Sequence, residues 1–332
     1  MHKAASNGLL LEVKGLKTRF YTYEGELDAV NGIDLEVKKN ESVGIVGETG
    51  CGKSVTVLSI MRLIKYPPGK VISGSVIFKG QDLMKKSAEE MRAVRGAQIA
   101  MIFQKAMSSL NPTYKIGEQM ADIISLHQKV TKKEAWNRAL EILKSVRLAS
   151  PENLVQRYPH ELSGGMRQRV MIATALSSNP ALLIADEPTT ALDATIQKQI
   201  LSLIQDLRRE FGFSMLFISH DLRTVYKVCD RVYVMYAGNI VEHGSIEQVF
   251  ENPRHPYFQA LVNSLPRFDA KKETLAAMTG TVPSLLEPPA GCRFHPRCPL
   301  AQEVCQKEVP PLENIGPEHW AACFRAKNGE LA

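Results

Sequence analysis

Gly47-Glu48-Thr49-Gly50-Cys51-Gly52-Lys53-Ser54 is the stretch that decides the fold. Its glycines let the backbone turn tightly enough for successive N–H groups to face phosphate oxygens, and the helix that follows adds the positive end of its dipole. Lys53 is placed to reach β- and γ-phosphates, and the Ser54 hydroxyl to bind the Mg²⁺ that bridges them. The flanks fit this reading. Ser42-Val43-Gly44-Ile45-Val46 is an apolar run suited to a buried strand, and Val55 to Met61 follows with helical periodicity.

Further along, Ala181 to Ala185 is an apolar run of the kind buried on both faces of a parallel sheet, and Asp186 and Glu187 stand at its carboxyl end, where open α/β sheets bind ligands. Asp186 is expected to hold the magnesium through its water shell and Glu187 to polarise the attacking water. A pair of acids at a helix N-terminus, with Pro188 in the first turn, is the competing explanation. Between the two blocks lies Leu162-Ser163-Gly164-Gly165-Met166-Arg167-Gln168-Arg169. Its glycine pair and serine hydroxyl can grip an anion with no side chain in the way.

In this order, the blocks over roughly the first 250 residues resemble the nucleotide-binding subunit of ATP-binding-cassette (ABC) transporters. The resemblance implies an α/β fold: a RecA-like P-loop ATPase core, an antiparallel β subdomain and a helical subdomain near 105–165, with a small cysteine-rich extension at 251–332. It also implies nucleotide contacts along Gly47–Ser54, with Gln104 as the Q-loop glutamine sharing the magnesium with Ser54 and Asp186. Leu162, Ser163, Gly164, Gly165 and Met166 would touch ATP held by the opposite subunit. Ala191, Leu192 and Asp193 match the D-loop, and His220, after the apolar run Met215–Ser219, matches the switch histidine. The adenine-stacking aromatic falls on Tyr23, with Tyr21 the other candidate; either ring could instead be strand packing.

With 332 residues and 44% hydrophobic content, the chain can form one sizeable α/β core plus an appendage. No run approaches the ~20 apolar residues of a membrane span, and Met1 to Gly8 offers no secretory apolar core. A peripheral protein on the cytoplasmic face of the membrane is therefore expected. A net charge of +6 says little about partners.

Ile116–Ile124 and Glu134–Val146 show helical spacing. By resemblance these helices and the Gln104 loop receive two membrane-spanning permeases, with Lys105–Pro112 as the expected contact or simply a joining loop. Arg231–Tyr236 and Ile240–Glu242 read as a hairpin. The segment Asn252-Pro253-Arg254-His255-Pro256-Tyr257 resembles the His-Pro-Tyr element of the dipeptide and oligopeptide importers, a branch that also serves nickel. That implies peptide import, a second ABC ATPase as partner (a paralogue rather than a second copy), an extracytoplasmic binding protein acting indirectly, and no nucleic acid. A nickel or other small-solute importer is the nearest alternative. A soluble ABC ATPase and an iron–sulfur regulatory module are the alternatives of another class. The first should carry two cassettes or a long insertion, and the second should lack Glu187 or His220.

Cys292, Cys298, Cys305 and Cys323 crowd the tail. A reducing compartment disfavours disulfides. Zinc sites usually contain close Cys pairs, whereas the intervals here are 5, 6 and 17 residues. A [4Fe–4S] cluster accepts varied spacing, and Pro299 follows Cys298 as in ferredoxin-like runs. The same positions match the cysteine-rich tail of peptide-importer ATPases, in which such a cluster occurs; zinc is the runner-up and unliganded thiols the third reading. Cys51 and Cys229 are expected to be packing residues.

Overall fold

Three apolar pentapeptides, Ser42–Val46, Leu182–Asp186 and Ser214–Ile218, form strands buried at every position, as strands covered on both faces must be. They belong to a computed structural model that describes residues 8–104, 109–190, 192–265 and 280–326. The strands in chain order are β1 (Leu9–Thr22), β2 (Gly25–Lys38), β3 (Ser42–Val46), β4 (Gly69–Phe78), β5 (Gln81–Asp82), β6 (Ile99–Ile102), β7 (Leu182–Asp186), β8 (Ser214–Ile218), β9 (Arg231–Tyr236), β10 (Asn239–Ser245), β11 (Glu313–Gly316) and β12 (His319–Ala321). The chain divides into two compact units, one built mainly on Lys85–Ile218 and the other on Leu11–Glu36, Val43–Met84 and the residues from Ser219 onward.

In the first unit β6, β7 and β8 run parallel, with Ile99 opposite Leu182 and Asp186 opposite Ile218. Its helices start and stop where the side chains dictate. Thr131 and Glu134 form a capping box before Lys132–Ser145, and Asp193 accepts from the N–H groups of Thr195 and Ile196 at the head of Ala194–Phe211. The latter helix buries Ile200, Leu203, Ile204 and Leu207, one stripe at helical spacing, each worth roughly 1.5–3 kcal/mol. It ends at Gly212, whose φ of 69° suits a residue without Cβ. Ile116–Gln128 buries Ile116, Met120, Ala121 and Ile124 in the same manner.

In the second unit β2, β1, β4 and β5 form one sheet, with β1 antiparallel to β4. A second layer runs β11, β12, β10, β9, β3; β3 and β9 are parallel, and β9 and β10 form the expected hairpin. The helix Lys53–Ile60 follows the phosphate loop, starting two residues earlier than the apolar periodicity indicates. The first strand runs unbroken from Leu9 to Thr22.

The tail is tied to this layer by backbone pairing: Glu242 lies opposite Ala321, and the Ala322 N–H donates to Val241 O at 2.8 Å. Glu242 is fully buried, yet its carboxylate is fully employed. It accepts from the N–H groups of Arg254 (2.7 Å) and His255 (2.8 Å) and pairs with His319 Nε2 at 2.8 Å. Glu242 thus holds both the head of the helix Pro256–Asn263 and the strand β12.

Candidate nucleotide site

The phosphate loop depends on missing side chains. Gly47 has φ 151°, and a Cβ there would meet Met235 O at 2.1 Å; Gly52 has φ 111°, and a Cβ would meet Ala29 O at 2.4 Å. Gly50 has φ 84° in open space, so only its backbone conformation requires glycine. Lys53 is buried, and its ammonium donates to Gly47 O at 2.7 Å and Glu48 O at 3.0 Å. Carbonyls are weaker partners for an ammonium than a phosphate, so the lysine is held near its expected ligand without being committed. Cys51 is buried, and its carbonyl accepts from Gly238 N at 2.9 Å. Cys229 is likewise buried, in keeping with packing roles for both thiols.

The acids occupy the other unit. Asp186 is buried at the end of β7. Glu187 follows with φ 48°, a left-handed conformation for a residue with a side chain, and its N–H donates to Ile218 O at 2.9 Å. Its Oε2 accepts from Gln104 Nε2 at 2.8 Å and Thr190 Oγ1 at 2.9 Å. Gln104, 83 positions earlier, is therefore brought onto the carboxylate. Pro188 opens a turn, and the next helix begins only at Ala194, so the acids do not cap a helix. Thr190 was not singled out from the sequence; its place three residues after Glu187, within the turn, is the only signal for it.

Ser163 caps the helix Gly164–Leu176 by accepting from Met166 N at 3.3 Å, and Leu162 is buried. A Cβ on Gly165 would lie 3.1 Å from Ile196 Cγ2, and one on Gly164 3.7 Å from Leu192 Cδ2, so this helix start packs beside Leu192 and the Asp193-capped helix. His220 is exposed after β8; the next residue, Asp221, caps Leu222–Val228 and donates its N–H to Ser219 Oγ at 3.0 Å. Tyr23 stands fully exposed at the turn between β1 and β2, and Tyr21 is exposed near the end of β1. Lys105–Ser108, within the expected permease contact, and Ala191 of the D-loop motif lie outside the described residues.

Behind the phosphate loop lies the tail. Tyr257, fully buried, accepts from Glu48 N at 2.8 Å, and Arg297 forms a bidentate pair with the Glu48 carboxylate at 2.8 and 3.1 Å. Neither partner was identified from the sequence. The thiols of Cys292, Cys298, Cys305 and Cys323 are free and line one cavity of about 20 Å³, walled by Phe294, Leu300, Pro310 and Phe324. Burial pushes Cys292 up to about 11 and raises Cys298 and Cys323 as well. Among the described residues, no three His, Cys, Asp or Glu side chains close on a single-ion point.

Comparison with known proteins identifies the family of the chain. Residues 30–190 match the family model described as ABC transporter, and residues 241–305 match the oligopeptide/dipeptide transporter, C-terminal region. A probable peptide ABC transporter ATP-binding protein of Sinorhizobium fredii is 52% identical over 96% of this chain and 95% of its own. The oligopeptide transport ATP-binding protein OppD of Bacillus subtilis is 49% identical over 94% and 87%, and OppD of Escherichia coli 46% over 95% and 93%. Among solved structures, the dimeric ATP-binding cassette MJ0796, in a post-hydrolysis state with ADP and phosphate, aligns with TM-score 0.64 at 27% identity over 71% of this chain and 98% of that one. The chain belongs to the ATP-binding subunits of ABC transporters, in the branch that carries the oligopeptide/dipeptide transporter C-terminal region.

Proposed function

We propose that this subunit hydrolyses ATP to energise uptake of dipeptides and oligopeptides through two partner permeases at the cytoplasmic face of the membrane. The observation that carries the peptide assignment is the similarity to relatives named for peptide transport, which runs through the tail as well as the cassette. No helix among the described residues is long and apolar enough to cross a membrane. On this reading residues 1–250 are the nucleotide-binding domain, with its helical subdomain near 105–165, and residues 251–332 the extension. A paralogous cassette completes the ATPase pair, and an extracytoplasmic binding protein selects the peptide.

The chemistry follows from the residues. Lys53 exchanges its two carbonyls for β- and γ-phosphate oxygens, while N–H groups of the loop other than that of Glu48, which is spent on the Tyr257 hydroxyl, cradle the remainder. Ser54, Asp186 and Gln104 offer the hard oxygen donors that Mg²⁺ prefers. Glu187, with one carboxylate oxygen held by Gln104 and Thr190, presents the other to a water and takes its proton as the γ-phosphate is attacked. The head of the Ser163-capped helix meets ATP bound to the partner cassette, joined by Leu192 and Asp193, while His220 senses the γ-phosphate and Tyr23 stacks on adenine.

For the tail, four unpaired thiols on one apolar-walled cavity are a donor set that fits a [4Fe–4S] cluster. A cation would offset the burial that pushes the Cys292, Cys298 and Cys323 thiols up. The free volume is about that of one water, so seating four irons parts the thiols from their present places. Zinc, the runner-up, needs four sulfurs at about 2.3 Å from one centre. When bound, either group would staple a tail too small to form a core of its own.

The deciding experiment is uptake of a labelled dipeptide, with nickel as a parallel tracer, in cells carrying the wild-type chain or Glu187→Gln. Loss of dipeptide uptake alone supports the assignment. Loss of nickel uptake alone moves the substrate, and no loss of either removes the importer reading.

A further inference from the structure

Glu48 has no freedom left. Its N–H donates to the Tyr257 hydroxyl, its carbonyl accepts from Lys53 Nζ, and its carboxylate receives both arms of Arg297. The Arg297 side chain is only 6% exposed, and its guanidinium lies 5.8 Å from the Tyr236 ring centre and 6.0 Å from that of Phe294. Tyr257 is wedged against the same two rings at 4.6 and 5.5 Å. Both clamping groups therefore come from the region after the cassette and are rigidly seated, whereas the loop they hold must receive a polyanion.

An acid in a phosphate-binding loop is an electrostatic liability, because its charge opposes the triphosphate. Arg297 cancels that charge and fixes the peptide whose carbonyl holds Lys53. We propose that Arg297 and Tyr257 are positioning residues of the phosphate loop, and that through Glu48 the tail sets the affinity of the cassette for MgATP. The inference rests on the ATPase reading above and extends it to regulation: any event that shifts the short turn His295–Arg297 is transmitted to the loop.

The test is the equilibrium affinity for MgATP of the purified full chain, with melting temperature recorded alongside. Arg297→Gln is expected to weaken binding roughly tenfold, since it leaves an uncompensated negative charge on Glu48 within the phosphate loop. Adding Glu48→Gln to that variant is expected to bring affinity back to within about threefold of wild type, because the repulsion is gone. A merely structural arginine would not show this rescue. Tyr257→Phe, which removes one hydroxyl and no charge, is expected to weaken binding about threefold and carries the test if Arg297→Gln does not fold. Unchanged affinity in a folded Arg297→Gln or in Tyr257→Phe, or no rescue in the double variant, overturns the proposal. Failure of the wild-type chain itself to bind MgATP would instead overturn the ATPase reading.

Discussion

Gln104 Nε2 donates a 2.8 Å hydrogen bond to Glu187 Oε2, and Thr190 Oγ1 donates a second, of 2.9 Å, to the same oxygen. The carboxylate is thereby held in one orientation, on a residue whose own backbone sits at φ 48°. Strain of that kind persists only where surrounding bonds enforce it.

Glu187→Gln should keep MgATP bound while hydrolysis falls about 10²–10⁴-fold, since only the proton acceptor is lost. Thr190→Val removes one of the two orienting donors and should lower kcat by roughly tenfold, with the affinity for MgATP unchanged. Nucleotide binding and single-turnover hydrolysis, measured on the same preparations, check both expectations.

Two glycines of the phosphate loop should differ sharply. Gly50→Ala meets open space and costs only the left-handed conformation, about 1–2 kcal/mol. Gly52→Ala would drive a Cβ to 2.4 Å from Ala29 O, a backbone atom that cannot swing aside. Thermal unfolding should place Gly52→Ala well below Gly50→Ala, and MgATP binding should be lost in the former.

His243 is sandwiched between Tyr233 and Trp320, with ring centres 4.7 Å away on each side, and burial lowers its pKa to about 4. The unfolded chain takes up this proton near 6.5, so its contribution is complete above that pH and is lost as pH falls from 6.5 towards 4. At pH 5 the loss is on the order of 2 kcal/mol at most. His243→Phe keeps an aromatic ring between the two neighbours and cannot be protonated. Denaturant melts at pH 7 and 5 should show a smaller difference for this variant than for the wild type, the buried His255 adding the same trend to both.

On the cluster reading, Cys298→Ser should lower iron per chain and the melting temperature of the tail, while the phosphate loop retains MgATP. Iron assay and visible absorption of anaerobically purified protein check it. Full iron content in the variant would remove Cys298 from the ligand set.

Much of the site was legible because it is written in contiguous residues. The glycines at 47, 50 and 52 and the buried run that ends at Asp186 each carry their geometry within a few positions, whereas Ser163, read for a hydroxyl that could grip an anion, has that hydroxyl on the Met166 N–H. The strands Ser42–Val46 and Arg231–Tyr236 and the hairpin after the latter were readable for the same reason. The short tail strands β11 and β12 escaped notice because four and three residues give no usable periodicity, and their pairing is tertiary, β12 with β10 and β11 with β12.

The sequence by itself determined a glycine-rich turn between a buried strand and a helix, an apolar strand that runs into Asp186 and Glu187, and four cysteines gathered after position 290, since each of these is a local pattern of backbone freedom, hydrophobic period or residue chemistry. Only the tertiary structure decided that Gln104 meets Glu187 across 83 positions and that Arg297 grips Glu48 across 249. A glutamine or an arginine in a turn looks the same in sequence whether it faces solvent or a carboxylate, because its partner is chosen by the path of the intervening strands and helices.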